Sequence, residues 1–94
     1  MSMAPNFPAT VTIPENIAWQ QFAGEVVLVD LNAGEYHNLN AVAARMWQTL
    51  NECDDVETAH ARLCAVYEID ANTLSHDLAV FIQQLVDKGL LTVP

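Results

Sequence analysis

The sequence predicts an α+β domain in which a three-stranded antiparallel sheet is followed by three helices. Two patterns and a length carry this reading. The first half of the chain alternates apolar and polar residues in short runs parted by glycine turns. The second half changes to apolar spacings of three and four. At 94 residues, 52% of them hydrophobic, the chain suits one domain with one compact core.

Residues 1–9 carry Pro5 and Pro8 and read as irregular. A short extended piece, ATVTI, follows with Val11 and Ile13 on one face, and Pro14 ends it. The chain therefore divides into a partly flexible lead-in over 1–16 and a domain over 17–94. IAWQQF is rich in strand formers, and Ala23-Gly24 is a two-residue link of hairpin type. EVVLVDL is the second strand, with Val27 and Val29 on one face and Val26, Leu28 and Asp30 on the other. Asn32-Ala33-Gly34 is the next tight turn, its glycine supplying positive φ, and EYHNL is the third strand. Links this short imply an antiparallel meander.

Asn40 is placed to cap the first helix, AVAARMWQTL, whose Val42, Ala43, Met46, Trp47 and Leu50 fall at helical spacing. Asp54 or Asp55 caps a second helix over 56–67, which buries Val56, Ala59, Leu63, Val66 and Tyr67. EIDAN breaks it. A third helix runs from near Thr73 to Lys88, with Leu74, Leu78, Phe81, Ile82 and Leu85 facing the core and Gly89 as its stop. Leu90-Leu91-Thr92-Val93 then packs back as an extended tail. This β-β-β-α-α-α order is winged-helix-like. Trp47 belongs to the core, and Trp19 on the first strand stays half exposed.

Charge narrows the partners. Three basic residues face twelve acidic ones, a net charge of -9. Nucleic-acid affinity comes from Lys and Arg on phosphates, and Arg45, Arg62 and Lys88 cannot supply it. An anionic membrane surface is disfavoured for the same reason. No apolar run approaches the roughly 20 residues that cross a bilayer, and MSMAPNFPAT lacks the basic and apolar regions of a secretory signal. Cys53 and Cys64 make no disulfide framework, which fits a reducing, cytoplasmic setting. The partner expected is a protein or peptide.

No catalytic constellation emerges. His37, His60 and His76 lie on three different elements, with no HxxxH or CxxC spacing for zinc. Cys53 sits between Glu52 and Asp54, a setting that disfavours a thiolate. Ser75-His76-Asp77 are neighbours on a helix and point apart, so they form no triad. Glu52, Asp54, Asp55 and Glu57 lack the alternation and central glycine of a calcium loop and serve as a solvated helix start. With three glycines there is no phosphate loop. Neither cofactor nor metal is expected.

What remains is an edge. EYHNL ends the meander, and its outer N–H and C=O groups need a partner. It has no Lys or Pro to blunt it. Either the third helix or the tail covers it, or an extended peptide adds to it as a fourth strand.

The run VVLVDLNAGEYHNLNAVAARMW, then LCAVYEID and LAVFIQQLVDKGLL, resembles the PqqD-like family, the leader-peptide-binding recognition elements of ribosomal peptide biosynthesis. The match lies in the order and spacing of an apolar-apolar-Asp strand, a Gly turn, a Tyr-aromatic-x-Leu-Asn strand end, a helical Trp and a final Lys-Gly-Leu-Leu. His37 departs from it, standing where many relatives carry Phe or Trp. The resemblance covers about residues 17–92. It implies that a precursor's leader segment lies along the third strand, in a groove against the third helix. The domain then presents it to a leader peptidase and cyclase, as in lasso peptide systems, or to a radical SAM enzyme, as in pyrroloquinoline quinone formation. Carried onto this sequence, the peptide-binding residues are Glu35, Tyr36, His37, Asn38 and Leu39 on the strand. On the helix they are Asp77, Val80, Phe81, Gln84 and Lys88, the opposite flank (Ser75, Ile82, Val86) being the fallback. The competing class is an adaptor that binds a partner enzyme, or an edge-strand homodimer rather than a monomer.

Overall fold

The computed structural model describes residues 8–93. Residues 1–7 of the expected lead-in, and Pro94, lie outside the described residues. Strands β1 (Ile17–Phe22), β2 (Glu25–Asp30) and β3 (Glu35–Leu39) form one antiparallel sheet in the order β1-β2-β3, followed by helices α1 (Ala41–Glu52), α2 (Val56–Tyr67) and α3 (Ala71–Asp87).

Local chemistry explains each turn. Ala23 and Gly24 both take positive φ, 53° and 83°, the left-handed pair that a two-residue hairpin turn requires. The second turn is organised by Asp30. Its Oδ1 accepts the N–H of Asn32 at 3.0 Å, the N–H of Ala33 at 3.1 Å and the Nδ2–H of Asn16 at 3.0 Å. Gly34, at φ 71°, donates its N–H to the Asp30 carbonyl at 2.7 Å.

The phase of the ladder follows from two facts. Phe22 pairs with Glu25 across the two-residue turn, which makes them a hydrogen-bonded pair, and Leu31 N–H donates to the Asn16 carbonyl at 2.8 Å. Alternation then aims the main-chain groups of Val27 and Val29 at β1, and those of Val26, Leu28 and Asp30 at β3. In the β2–β3 register Leu39, His37 and Glu35 face those three residues. The main-chain groups of Tyr36 and Asn38 therefore point out of the sheet.

Side chains alternate in step with this. Val26 and Leu28 are fully buried on the helix side, with Leu39 and His37 directly across from them. Val27 and Val29 lie on the opposite, outer face.

The helix caps fall where short polar side chains stand. Asn40 Oδ1 accepts the Ala43 N–H at 2.9 Å, and Asp55 Oδ1 accepts the Thr58 N–H at 2.7 Å. Helix α3 starts at Ala71 rather than at the expected Thr73. The cap is Asp70, whose Oδ2 accepts the Thr73 N–H at 3.0 Å, and that draws the preceding residues into the first turn. Gly89, at φ 75°, stops the chain after Lys88.

One core joins all of this: Ile17, Val26, Leu28 and Leu39 from the sheet, Trp47, Val56, Leu63, Leu78, Ile82 and Leu85 from the helices, and Leu90 and Leu91 from the tail. Two expected core residues are corrected. Val42 and Val66 are each 52% exposed. On α1 the buried stripe runs through Ala44, Trp47 and Leu50, which leaves Val42 outside it. On α2 the stripe continues four residues past Leu63 to the partly buried Tyr67, which leaves Val66 on the rim. The tail pairs with residues before β1: Thr12 and Thr92 exchange N–H···O=C bonds, both 2.8 Å. Among the described residues no helix is long and apolar enough to cross a membrane.

Candidate peptide-binding site

Strand β3 is a terminal strand. Among the described residues, no main-chain hydrogen bond reaches Glu35–Leu39 from outside the sheet, and neither the tail nor α3 pairs with it. By the ladder phase, Tyr36 and Asn38 each present a free N–H and C=O along this edge. Tyr36 is 74% exposed, Glu35 and Asn38 are exposed, His37 is half-buried and Leu39 is buried. Side chains of Glu35, His37 and Leu39 face the helix side, and those of Tyr36 and Asn38 face the outer side, as the sequence pattern anticipates.

On α3, Asp77, Val80, Gln84 and Lys88 form one exposed flank. Val80 is 41% exposed, an apolar residue off the core stripe. Phe81 sits between this flank and the interior and is buried in the core. The opposite flank is closed: Ile82 is buried, Val86 packs against the core and Ser75 is half-buried. The Asp77–Lys88 flank is thus the accessible one. The strand residues form one edge and the helix residues one face. No hydrogen bond joins the two sets among the described residues, so their polar groups are not committed to each other.

Electrostatics near the strand centre on Asp30. Its carboxyl is held below the usual carboxylate range, first by the Ala33 N–H, then by Asn16 and Asn32, with His37 adding a small attraction. The charge thereby rigidifies the turn that launches β3. Lys88 has no ion pair among the described residues, whereas Arg62 pairs with Glu52 at 3.1 Å.

Two features escaped the sequence reading. Trp19 packs edge-on against the buried Trp47, with ring centroids 5.9 Å apart and planes at 79°, which ties β1 to α1. The outer sheet face is a shallow apolar groove of about 290 Å³ lined by Ala18, Trp19, Phe22, Val27, Val29 and Tyr36. Its signal was present: valines alternate along β2, and Phe22 and Tyr36 fall on the same face. The larger cleft, about 310 Å³, lies between Val11–Ile13 and the end of α1 and holds none of the candidate residues. Among the described residues no three His, Cys, Asp or Glu side chains gather into a metal-binding group.

Comparison with known proteins bears on this edge. The chain is similar to the solved structure described as "TbiB1 in Complex with the TbiA(beta) Leader Peptide", at 35% identity and a TM-score of 0.79 over 84% of this chain and 92% of that one. It is also similar to "Lasso peptide synthetase B1 complexed with the leader peptide", at 26% identity and a TM-score of 0.80 over 89% of this chain and 99% of that one. No curated protein sequence matches the chain. The family model for coenzyme PQQ synthesis protein D matches residues 25–91, from the start of β2 to the buried tail, and the chain belongs to that PqqD family.

Proposed function

We propose that this protein binds the leader segment of a ribosomally made precursor peptide and presents it to a processing enzyme, without catalysing a reaction itself. The observation that carries this is the free β3 edge, where the main-chain groups of Tyr36 and Asn38 meet no partner among the described residues. The leader adds as a fourth strand, bonded to the outward groups of Tyr36 and Asn38, which set its direction and register. Leader side chains on the helix side meet Asp77, Val80, Gln84 and Lys88, with Phe81 as the floor. Those on the other side meet Tyr36 and Asn38.

Both solved relatives are described with a leader peptide, and one of them is described as a lasso peptide synthetase B1. That supports a lasso precursor as cargo, and a leader peptidase and cyclase as the enzymes served, in the cytoplasm. The apolar outer face adjoins the same edge and suits an enzyme that packs on the sheet while the leader lies alongside. A homodimer through β3 is disfavoured by the charge of -9 on each copy.

The test is a titration of isotope-labelled protein with synthetic leader peptides of candidate lasso precursors. Amide signals of residues 35–39 and 77–88 are expected to shift. Shifts confined to other residues, or none at sub-millimolar peptide, refute the reading.

A further inference from the structure

Arg45 shares with Lys88 the lack of an ion pair among the described residues. Its side chain has no hydrogen bond or ion pair among the described residues, although the chain carries twelve carboxylates. The sequence arranges this. Its helical neighbours three and four positions away are Ala41, Val42, Gln48 and Thr49, none of them acidic. It opens instead on a cleft of about 200 Å³ shared with Gln21, Gly24, Ala41, Gln48 and Tyr67, between the β1–β2 turn, the start of α1 and the end of α2.

The other polar side chains of this cleft are equally uncommitted. Gln21, Gln48 and Tyr67 make no side-chain hydrogen bond among the described residues. Together the four side chains offer a guanidinium fork, two amide NH₂ groups and a phenol O–H, against three acceptor oxygens. Ala41 opens α1, so the positive end of that helix lies at the same place. Gln48 and Tyr67 are half-buried, which lowers the local screening. Such a set is matched by a ligand that only accepts. A carboxylate fits the planar fork, and its single charge meets less repulsion from a protein of net charge -9 than a phosphate dianion would.

The cleft adjoins a second free edge. β1 is the other terminal strand, and among the described residues no main-chain bond from outside the sheet reaches Ala18–Phe22. The ladder phase turns the main-chain groups of Trp19 and Gln21 outward. Gln21 therefore offers its backbone to that edge and its side chain to the cleft, on the helix side, opposite the buried Val26. We propose that the β1 edge and the Arg45 cleft form a second docking site, separate from β3, for an extended segment of a partner protein whose Asp or Glu side chain enters the cleft.

The probe is N-acetyl-glutamate N-methylamide, titrated into the isotope-labelled full chain, with the glutamine analogue and inorganic phosphate as comparisons. Saturable shifts are expected at the side-chain amides of Gln21 and Gln48 and at the Gly24 N–H. They should weaken about tenfold or more in Arg45→Gln, the loss of one charge-assisted interaction. Equal shifts from the glutamine analogue, or shifts unchanged in Arg45→Gln, overturn the proposal. Tighter binding of phosphate at the same signals overturns the carboxylate assignment. The spectrum of Arg45→Gln shows whether the variant is folded, and its affinity for the leader is expected to stay at the wild-type value. A leader that fails to bind either protein bears on β3 alone.

Discussion

Asn38→Pro separates the main chain of β3 from its side chains. Proline removes an N–H that points away from β2 and has no partner inside the domain. The residue before it, His37, is already extended, as the ring demands. An edge strand tolerates proline at such a position, so the cost to folding should stay under about 1 kcal/mol, a fall in Tm of no more than about 4–8 °C. Binding should suffer more. One inter-strand hydrogen bond is worth about 0.5–1.5 kcal/mol, and the leader carbonyl left without a donor costs about 1–3 kcal/mol. The sum, about 1.5–4.5 kcal/mol, is a rise in Kd of roughly 10- to 1,600-fold. Fluorescence anisotropy with a labelled leader reads the affinity, and a thermal melt reads the fold. Asn38→Ala keeps the N–H and should bind within a few-fold of wild type. His37→Pro deletes an N–H aimed at the Leu28 carbonyl and should destabilise the sheet itself. If Asn38→Pro binds as wild type does, or Asn38→Ala loses as much as Asn38→Pro, the strand-addition geometry is wrong.

Other outcomes follow from the same structure. Leu78→Ala, at a fully buried position where α3 meets the core, should lose about 2–5 kcal/mol in urea denaturation. The Asp30 carboxyl has a folded pKa below its unfolded value of about 3.8, so it stabilises the fold above that pH and the contribution fades as pH falls through the folded pKa. Asp30→Asn should therefore flatten the acid limb of a stability–pH curve below about pH 4, while the wild type stays steep there. Phe22→Ser, on the outer face and 67% exposed, should leave leader affinity unchanged and slow leader removal by the processing peptidase. Slowing matched by an equal loss of leader affinity would count against the outer face as the enzyme's surface.

The local grammar was legible in the chain, and the long-range geometry was not. Ala23-Gly24 and Asn32-Ala33-Gly34 announced both turns because few residues accept left-handed φ. Asn40 announced a cap because its side chain competes well for orphan N–H groups. Alternation along EVVLVDL set Val26 and Leu28 against Val27 and Val29, but which pair is buried depends on where the helices land. Val42 and Val66 look like core by type, yet a helix of about twelve residues buries only a narrow stripe, and Ala44 and Tyr67 occupy it. The candidate edge could be named from sequence, since Glu35–Leu39 ends a meander. Its outward N–H groups, at Tyr36 and Asn38, required the hairpin register. The cleft around Arg45 could not be read at all, because Gln21, Arg45 and Tyr67 come from three elements and share no sequence pattern.

The pairing of Thr12 with Thr92 has a consequence for architecture. It brings the two ends of the described domain side by side. A domain whose ends leave through one doorway can be spliced into a loop of a larger polypeptide, or have its ends joined and be reopened elsewhere, without redrawing its interior. Grafted in this way, it could carry its edge into an enzyme that lacks one.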